Sequence, residues 1–141
     1  SETEKNFDKG YVLFRYSGVY DGDYISRGIV ALLAVASREE ILNLRAVIAD
    51  LNAVSEVTMV NTDASINNLS FRKLKKSLEL KNLDIQEIAP NVQRFIICPA
   101  HLRGAWSERT ERVQTAIAWR TLPEIVFFDT REAAVAAVNL R

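Results

Sequence analysis

The stretch Arg45-Ala46-Val47-Ile48-Ala49-Asp50-Leu51 decides the fold that this sequence predicts. Its apolar residues are continuous and leave no polar face. This pattern is typical of a strand buried on both sides, in a sheet that carries helices on both faces. The strand is expected to end at Asp50, and the carboxyl ends of parallel strands are where open α/β sheets place their sites. We therefore expect Asp50 at the functional edge of the sheet.

Strand and helix patterns alternate along the rest of the chain. The predicted strands are 11–16, 46–51, 92–98 and 124–129, and the predicted helices are 24–36, 38–44, 64–82, 108–121 and one capped by Asp129. Two interpretations stay open: residues 19–20 as an extension of the first strand, and residues 54–60 as a loop or an edge extension. Ser37 and Glu40 have the spacing of a capping box. This order predicts one α/β domain over residues 9–141, with a largely parallel or mixed sheet of four to five strands and helices packed on it. Residues 1–8 are polar, and we expect them to be flexible.

Composition narrows the functional class. The 141 residues carry 18 basic and 18 acidic side chains, and 48% of the residues are hydrophobic. A balanced charge argues against a dedicated nucleic-acid-binding protein, which would carry a basic face. The single cysteine excludes an internal disulfide, and the apolar run 29–36 is too short to span a membrane. We expect a soluble cytoplasmic protein that binds no nucleic acid and is not integral to a membrane.

Three polar residues end predicted strands and would share one edge of a parallel sheet. They are Asp50, Cys98 and Asp129. The plainer interpretation is that they terminate strands or cap helices, and the alternative is an acidic site for metal or phosphoryl chemistry. A response-regulator receiver would also need an acidic pair after the first strand and a lysine at a strand end, and neither is present. Asp50 and Asp129, together with Asp63 before the third predicted helix, are the predicted rim for a ligand or partner.

No motif in the sequence predicts an enzyme. Cys98 and His101 are too few for a zinc site, and their adjacency rarely produces a catalytic pair. The five glycines are scattered, so no phosphate-binding loop can be written. The basic group at 72–76 is interpreted as a solvated helix face. We therefore expect no catalytic residue, no metal and no cofactor, and an enzyme is the weakest of the hypotheses.

The predicted helix 24–36 is apolar on nearly every side. Residues Ile25, Ile29, Leu32, Leu33 and Ala36 have core spacing. Apolar residues also occupy the remaining faces, and they are Val30, Ala31, Ala34 and Val35. In a protein of this size such a helix is hard to bury completely. These four residues are the predicted partner-facing surface, for another protein or for a second copy in a homodimer.

The sequence resembles STAS-like domains, the fold of the sporulation anti-sigma-factor antagonist. Within that fold it is most similar to small bacterial proteins that also resemble CRAL-TRIO lipid-transfer domains. The resemblance rests on Gly18, on Val47-Ile48-Ala49-Asp50-Leu51, on Phe95-Ile96-Ile97-Cys98, and on Val126-Phe127-Phe128-Asp129-Thr130-Arg131-Glu132-Ala133-Ala134. It implies a STAS-like α/β domain that regulates by binding partner proteins.

The resemblance also implies a candidate phosphorylation site. In STAS antagonists an Asp-Ser or Asp-Thr pair begins the helix after the Asp-Leu strand, and a partner kinase phosphorylates that hydroxyl. Here Ala64 follows Asp63, and Ser65 is the next hydroxyl. A phosphate on Ser65 would lie at the positive end of the helix dipole. Ser65 is the predicted phosphosite.

Two hypotheses of different classes remain. The first is a non-enzymatic regulatory or scaffold module that binds another protein or its own copy. The second is a carrier of a small apolar, lipid-like ligand, which the CRAL-TRIO resemblance implies. A flat apolar patch would favour the first, and an apolar cavity would favour the second.

Overall fold

A computed structural model describes residues 2–20, 31–57, 64–104 and 123–138. Its five strands are β1 (Glu2–Asn6), β2 (Tyr11–Tyr20), β3 (Ala46–Val57), β4 (Gln93–Ile97) and β5 (Ile125–Phe128). They form one sheet in the order β1-β2-β3-β4-β5. β1 is antiparallel to β2, and every other pair is parallel. The predicted α/β class with a mixed sheet is confirmed.

The helices are α1 (Arg38–Leu42), α2 (Ala64–Glu79), α3 (Ile85–Ile88) and α4 (Arg131–Val138). Residues 31–35 and 100–104 are also helical. The predicted capping box begins α1, because the Ser37 hydroxyl accepts from the Glu40 N–H at 3.1 Å and the Glu40 carboxylate accepts from the Ser37 N–H at 2.8 Å. The predicted helix 108–121 lies outside the described residues. No helix in the described ranges is long and apolar enough to cross a bilayer.

Successive side chains of each strand point to opposite faces of the sheet, so the core is divided between those two faces. One face holds residues of β2, β3 and β4, residues of the helical segments 31–35 and 100–104, and two residues that follow α1 and β4. They are Val12, Phe14, Tyr16, Leu32, Leu44, Ala49, Leu51, Val54, Ile96, Cys98 and Leu102. The other face packs against α4 through Tyr11, Leu13, Ala46, Ile48, Phe95, Ile97, Ala134 and Val138. Helices therefore cover both faces, as the continuous apolar run in β3 predicts.

A third apolar cluster joins the helices to one another. Its buried members are Leu33, Ala36, Ile41, Leu78, Leu83 and Ile85. They bring the carboxyl end of α2 against the segment 31–36, and the Lys81 ammonium donates to the Ala34 carbonyl at 3.3 Å. Asn82 adopts a positive φ of 58° after α2, in the conformation that commonly ends a helix.

The N-terminal residues correct the sequence prediction. The sequence predicts that residues 1–8 are flexible, but β1 pairs with β2 from Glu2↔Arg15 to Asn6↔Tyr11. Glu4 accepts from the Tyr11 hydroxyl at 3.2 Å and forms an ion pair with Arg131. The local sequence of β1 is too polar to predict a strand. These long-range partners define it, and its charged side chains suit the outer edge of a sheet.

Candidate functional site at the carboxyl edge of the sheet

The Asp50 side chain lies where β4 stops pairing with β3. Asp50↔Ile97 is the last pair of those two strands, and Arg15 is its partner on β2. The carboxylate is buried and accepts from Arg15 Nε at 3.3 Å and from the Asn52 N–H at 3.0 Å. Arg15 also contacts the Glu2 carboxylate at 3.2 Å. Ion pairs thus connect β1, β2 and β3, and the Asp50 carboxylate accepts hydrogen bonds from both β2 and β3.

The strand does not end at Asp50, where the sequence predicts its carboxyl end, and of the two interpretations of residues 54–60 the described part, 54–57, is an extension of the strand. β3 continues to Val57 and remains paired with β2 as far as Tyr20↔Val57. The register shifts just after Asp50, so that Arg15↔Asp50 is followed by Ser17↔Ala53 and β3 carries one extra residue. Asn52 lies in this irregular step, and the Asp50 carboxylate satisfies its N–H. The acid therefore supports an irregular strand rather than terminating it.

Arg103 is the main polar connection between the ends of β4 and β5. Its Nε donates to the Cys98 carbonyl at 3.1 Å, and its Nη2 contacts Asp129 Oδ1 at 2.6 Å. The guanidinium also lies 5.6 Å from the centre of the Phe127 ring, within cation–π distance. The Cys98 N–H continues the same connection by donating to the Phe128 carbonyl at 3.2 Å. Arg103 therefore holds two strand ends and the helical segment 100–104 together.

Sequence reasoning missed Arg103. The receiver pattern predicts a lysine at a strand end, and none follows Cys98. Two features of the sequence could have indicated it: Arg103 lies five residues after Cys98, and Asp129 ends the next predicted strand. Arginine satisfies a carbonyl and a carboxylate together because its planar guanidinium carries several donors.

Cys98 and His101 do not form a reactive pair. The Cys98 thiol is buried and contacts the Pro99 carbonyl at 3.4 Å, whereas His101 is exposed. Burial raises the pKa of the Cys98 thiol, although the positive charge of Arg103 opposes this shift. A buried neutral thiol is a weak nucleophile. Within the described ranges no group of three metal-ligating side chains comes together, and the absence of a metal stays a prediction.

Asp129 does not have the capping role that the sequence predicts. The Thr130 hydroxyl accepts from the Ala133 N–H at 3.2 Å and so caps α4. The side chain of Asp129 is 90% exposed and pairs with Arg103. The capping role therefore belongs to the next residue, because Asp129 is directed towards the cation at the end of β4.

Several predicted residues lie outside what the structure describes. Asp63 and Val30 fall in the gaps at 58–63 and 21–30. Ser65 is the second residue of α2 along the backbone, but its side chain lies outside the described part of the structure. The predicted rim that combines Asp63 with Asp50 and Asp129, and the predicted phosphosite, remain predictions.

A second surface lies away from the carboxyl edge, where the segment 31–35 meets the end of α2. Ala31, Ala34 and Val35 from the predicted partner-facing helix are exposed, while Leu32 and Leu33 are buried. Leu80, directly after α2, is also exposed. The contact between Lys81 and Ala34 places these two chain segments side by side. We call Ala31, Ala34, Val35 and Leu80 the helix-end patch.

Comparison with known proteins adds a structural similarity. The chain is similar to a solved structure of the anti-sigma factor antagonist SpoIIAA in its unphosphorylated form, with a TM-score of 0.46 and 15% sequence identity. The similarity covers 97% of this chain and 96% of that chain. A scan against protein-family models and a search of curated proteins give no match.

Proposed function

We propose that this protein is a non-enzymatic regulatory or scaffold module that acts by binding another protein, including a second copy of itself. The helix-end patch carries this proposal. Val35 is 75% exposed and Leu80 is 79% exposed, the two highest values among the large apolar side chains that the structure describes. Apolar side chains grouped at the surface are characteristic of interaction sites. The sequence resemblance to STAS-like domains favours the same role.

The carboxyl edge of the sheet supports a structural rather than a chemical role for its charged groups. Asp50 accepts from Arg15 and Asn52, and Arg103 donates to Cys98 and Asp129. Each of these groups connects neighbouring strands or their ends. The position that enzymes of this architecture use for catalysis is occupied here by contacts that hold the sheet together. Binding of a small apolar ligand remains a separate prediction.

Site-specific photo-crosslinking tests the proposal. A benzophenone amino acid would replace Val35 in the full chain, and a control chain would carry it at Val19, an exposed valine on β2. The proteins would be irradiated in the cells that produce them naturally, and the products identified by mass. We expect a discrete product from position 35 that is absent from position 19 and is lost in the Leu80→Asp variant.

The mass of the crosslinked product distinguishes a homodimer from a complex with a different protein. A product of twice the chain mass indicates a homodimer, and a product containing a different chain identifies a hetero-partner. Equal products from positions 35 and 19, or none from position 35, would contradict the proposal. Native mass spectrometry of the purified chain would show a retained small ligand, the outcome that favours the carrier alternative.

We also propose that Ser65 is a regulatory phosphosite of this module. It lies in the first turn of α2, where backbone N–H groups have no partner within the helix and the dipole favours negative charge. Ser65→Asp and Ser65→Ala are expected to differ in the yield of the position-35 crosslink. Equal yields, with no phosphate found on the natural protein by mass spectrometry, would refute this role.

A further inference from the structure

The outward side of α2 carries a row of cations that leads to the helix-end patch. Arg72, Lys73, Lys76 and Leu80 are all exposed, and their spacing places them on one side of a helix. Leu78 lies on the opposite side and is buried in the cluster that joins the helices. We call Arg72, Lys73 and Lys76 the cationic stripe.

No carboxylate in the described residues 2–20, 31–57, 64–104 and 123–138 neutralises the cationic stripe. The nearby carboxylate of Glu79 is paired with Lys75 at 4.0 Å, and the Lys81 ammonium donates to the Ala34 carbonyl. Within the part of the chain that the structure describes, the three cations of the stripe have no carboxylate partner. Since the whole chain has no net charge, this row is a local excess of positive charge. Such an excess attracts an anionic partner and fixes its orientation.

The apolar end of the row limits what that partner can be. Leu80 follows Lys76 by one turn, and Val35 is adjacent to Ala34, whose carbonyl contacts Lys81. A nucleic acid backbone offers no apolar surface for these two side chains. Anionic membranes are bound by clusters of about four to eight basic residues, whereas the stripe has three and the neighbouring Lys75 is paired with Glu79. A protein segment with both acidic and apolar residues can pair with the cations of the stripe and also cover Leu80 and Val35.

We propose that the cationic stripe and the helix-end patch together bind an acidic amphipathic segment of a partner protein. This inference rests on the proposed function and specifies the chemistry of the partner. Arg72 and Lys76 are one helical turn apart, with Cβ atoms about 6 Å apart, and would face two carboxylates with the same spacing. An apolar side chain one turn further along the partner would contact Leu80 and Val35. The charges select the segment and set its direction, and the apolar side chains hold it.

A synthetic helical peptide with glutamates four residues apart and a leucine one turn beyond them is the probe. Its affinity for the full chain would be measured by fluorescence anisotropy and compared with that of the same peptide carrying glutamine at both positions. We expect the glutamate peptide to bind more tightly and to weaken as salt is added. The double variant Arg72→Glu/Lys76→Glu is expected to lose about tenfold or more in affinity.

A matched double reversal controls for net charge. Lys5 and Lys9 are exposed on the β1–β2 hairpin, and Lys5→Glu/Lys9→Glu makes the same change in total charge away from the stripe. This control is expected to keep its affinity within about twofold, because Lys5 and Lys9 belong to a different element from the cations that would face the carboxylates of the partner. Circular dichroism would establish that both variants are folded. Equal losses in the two variants would overturn the proposal.

Other outcomes distinguish this inference from the proposed function. If the glutamate peptide does not bind at about 1 mM, or if phosphatidylglycerol vesicles or a 20-nucleotide RNA bind and the peptide does not, the inference fails. If the position-35 crosslink also persists in Arg72→Glu/Lys76→Glu, a protein partner exists but the stripe does not recognise it. Loss of that crosslink in this variant, but not in the Lys5/Lys9 control, would support the inference.

Discussion

Strands β2 and β3 each have two halves that are held in different ways. Residues 11–15 and 46–50 pair in uniform register, with β1 on one side and β4 on the other. Residues 17–20 and 53–57 pair only with each other among the described residues, and their register shifts again between Gly18 and Val19. We call the first region the sheet body and the second the ribbon. The body has helices on both faces, whereas most ribbon side chains are exposed.

The difference shows that neighbouring strands and buried side chains, rather than strand length, define a rigid sheet. In the body, the buried apolar side chains of β2 and β3 belong to two core clusters that also contain residues of β4 and of helices. In the ribbon, Val54 is buried while Ser17, Ala53 and Glu56 are exposed. Two register shifts within a few residues make the ribbon irregular, and irregular strands resist edge-to-edge aggregation. We expect the body to dominate the free energy of unfolding.

Truncation of a buried side chain should give the largest contrast between the two regions. Ile48 in the body is fully buried, and Val19 in the ribbon is half exposed. Ile48→Ala should lower the free energy of unfolding by about 3 kcal/mol, because it removes buried methylenes and leaves a cavity. Val19→Ala should lower it by about 0.5 kcal/mol or less. Urea unfolding measures both, and equal losses would show that the ribbon is packed as firmly as the body.

Two glycines at positive φ sharpen the same comparison. Gly10 has a φ of 83°, and a Cβ added there would lie 2.9 Å from the Asn43 carbonyl oxygen. Gly18 has a φ of 75°, and a Cβ added there would have no neighbouring atom within 4 Å. Gly10→Ala should therefore cost about 2 kcal/mol from backbone strain and crowding together. Gly18→Ala should cost about 1 kcal/mol from strain alone. Thermal unfolding would reveal the order, and a larger cost at Gly18 would contradict it.

The boundary between body and ribbon depends on Asp50. Asp50→Ala removes the acceptor for Arg15 and for the Asn52 N–H, and should cost about 1.5 kcal/mol. Asp129→Ala is the matched control, because it removes a solvent-exposed ion pair with Arg103 and should cost about 0.5 kcal/mol or less. The denaturant midpoints of the two variants measure the difference. An unchanged midpoint for Asp50→Ala would show that the carboxylate does not support the register shift.

The smallest expected effect is the contribution of Cys98, directly after β4, to the pH dependence of the free energy of unfolding. Burial raises the pKa of this thiol, so the native state keeps the proton that the unfolded chain releases from about pH 8.5. The stability due to the protonated thiol is complete below that pH and declines as the pH rises towards the native pKa. Cys98→Ala should therefore lose less stability than the parent chain between about pH 8 and pH 10. Parallel pH profiles would contradict this.

Local sequence was enough to predict the sheet body. The continuous run 46–51 and the apolar strands on either side have patterns that only burial on both faces explains. Ser37 and Glu40 form the predicted capping box, because it depends on residues three positions apart. The carboxyl edge was less predictable. Asp129 has the spacing of a cap, but it pairs with Arg103, which lies in the helical segment 100–104 after a different strand.

Sequence alone therefore determined the fold class, the central strand and the buried side of the segment 31–36, since these follow from periodic burial. The tertiary structure decided where β3 ends, because the ion pair with Arg15 and the hydrogen bond to Asn52 keep Asp50 within the strand. It also made residues 2–6 a strand, through pairing with β2 and the contacts of Glu4. Each of these outcomes depends on a partner distant in sequence, and a local pattern carries no information about such partners.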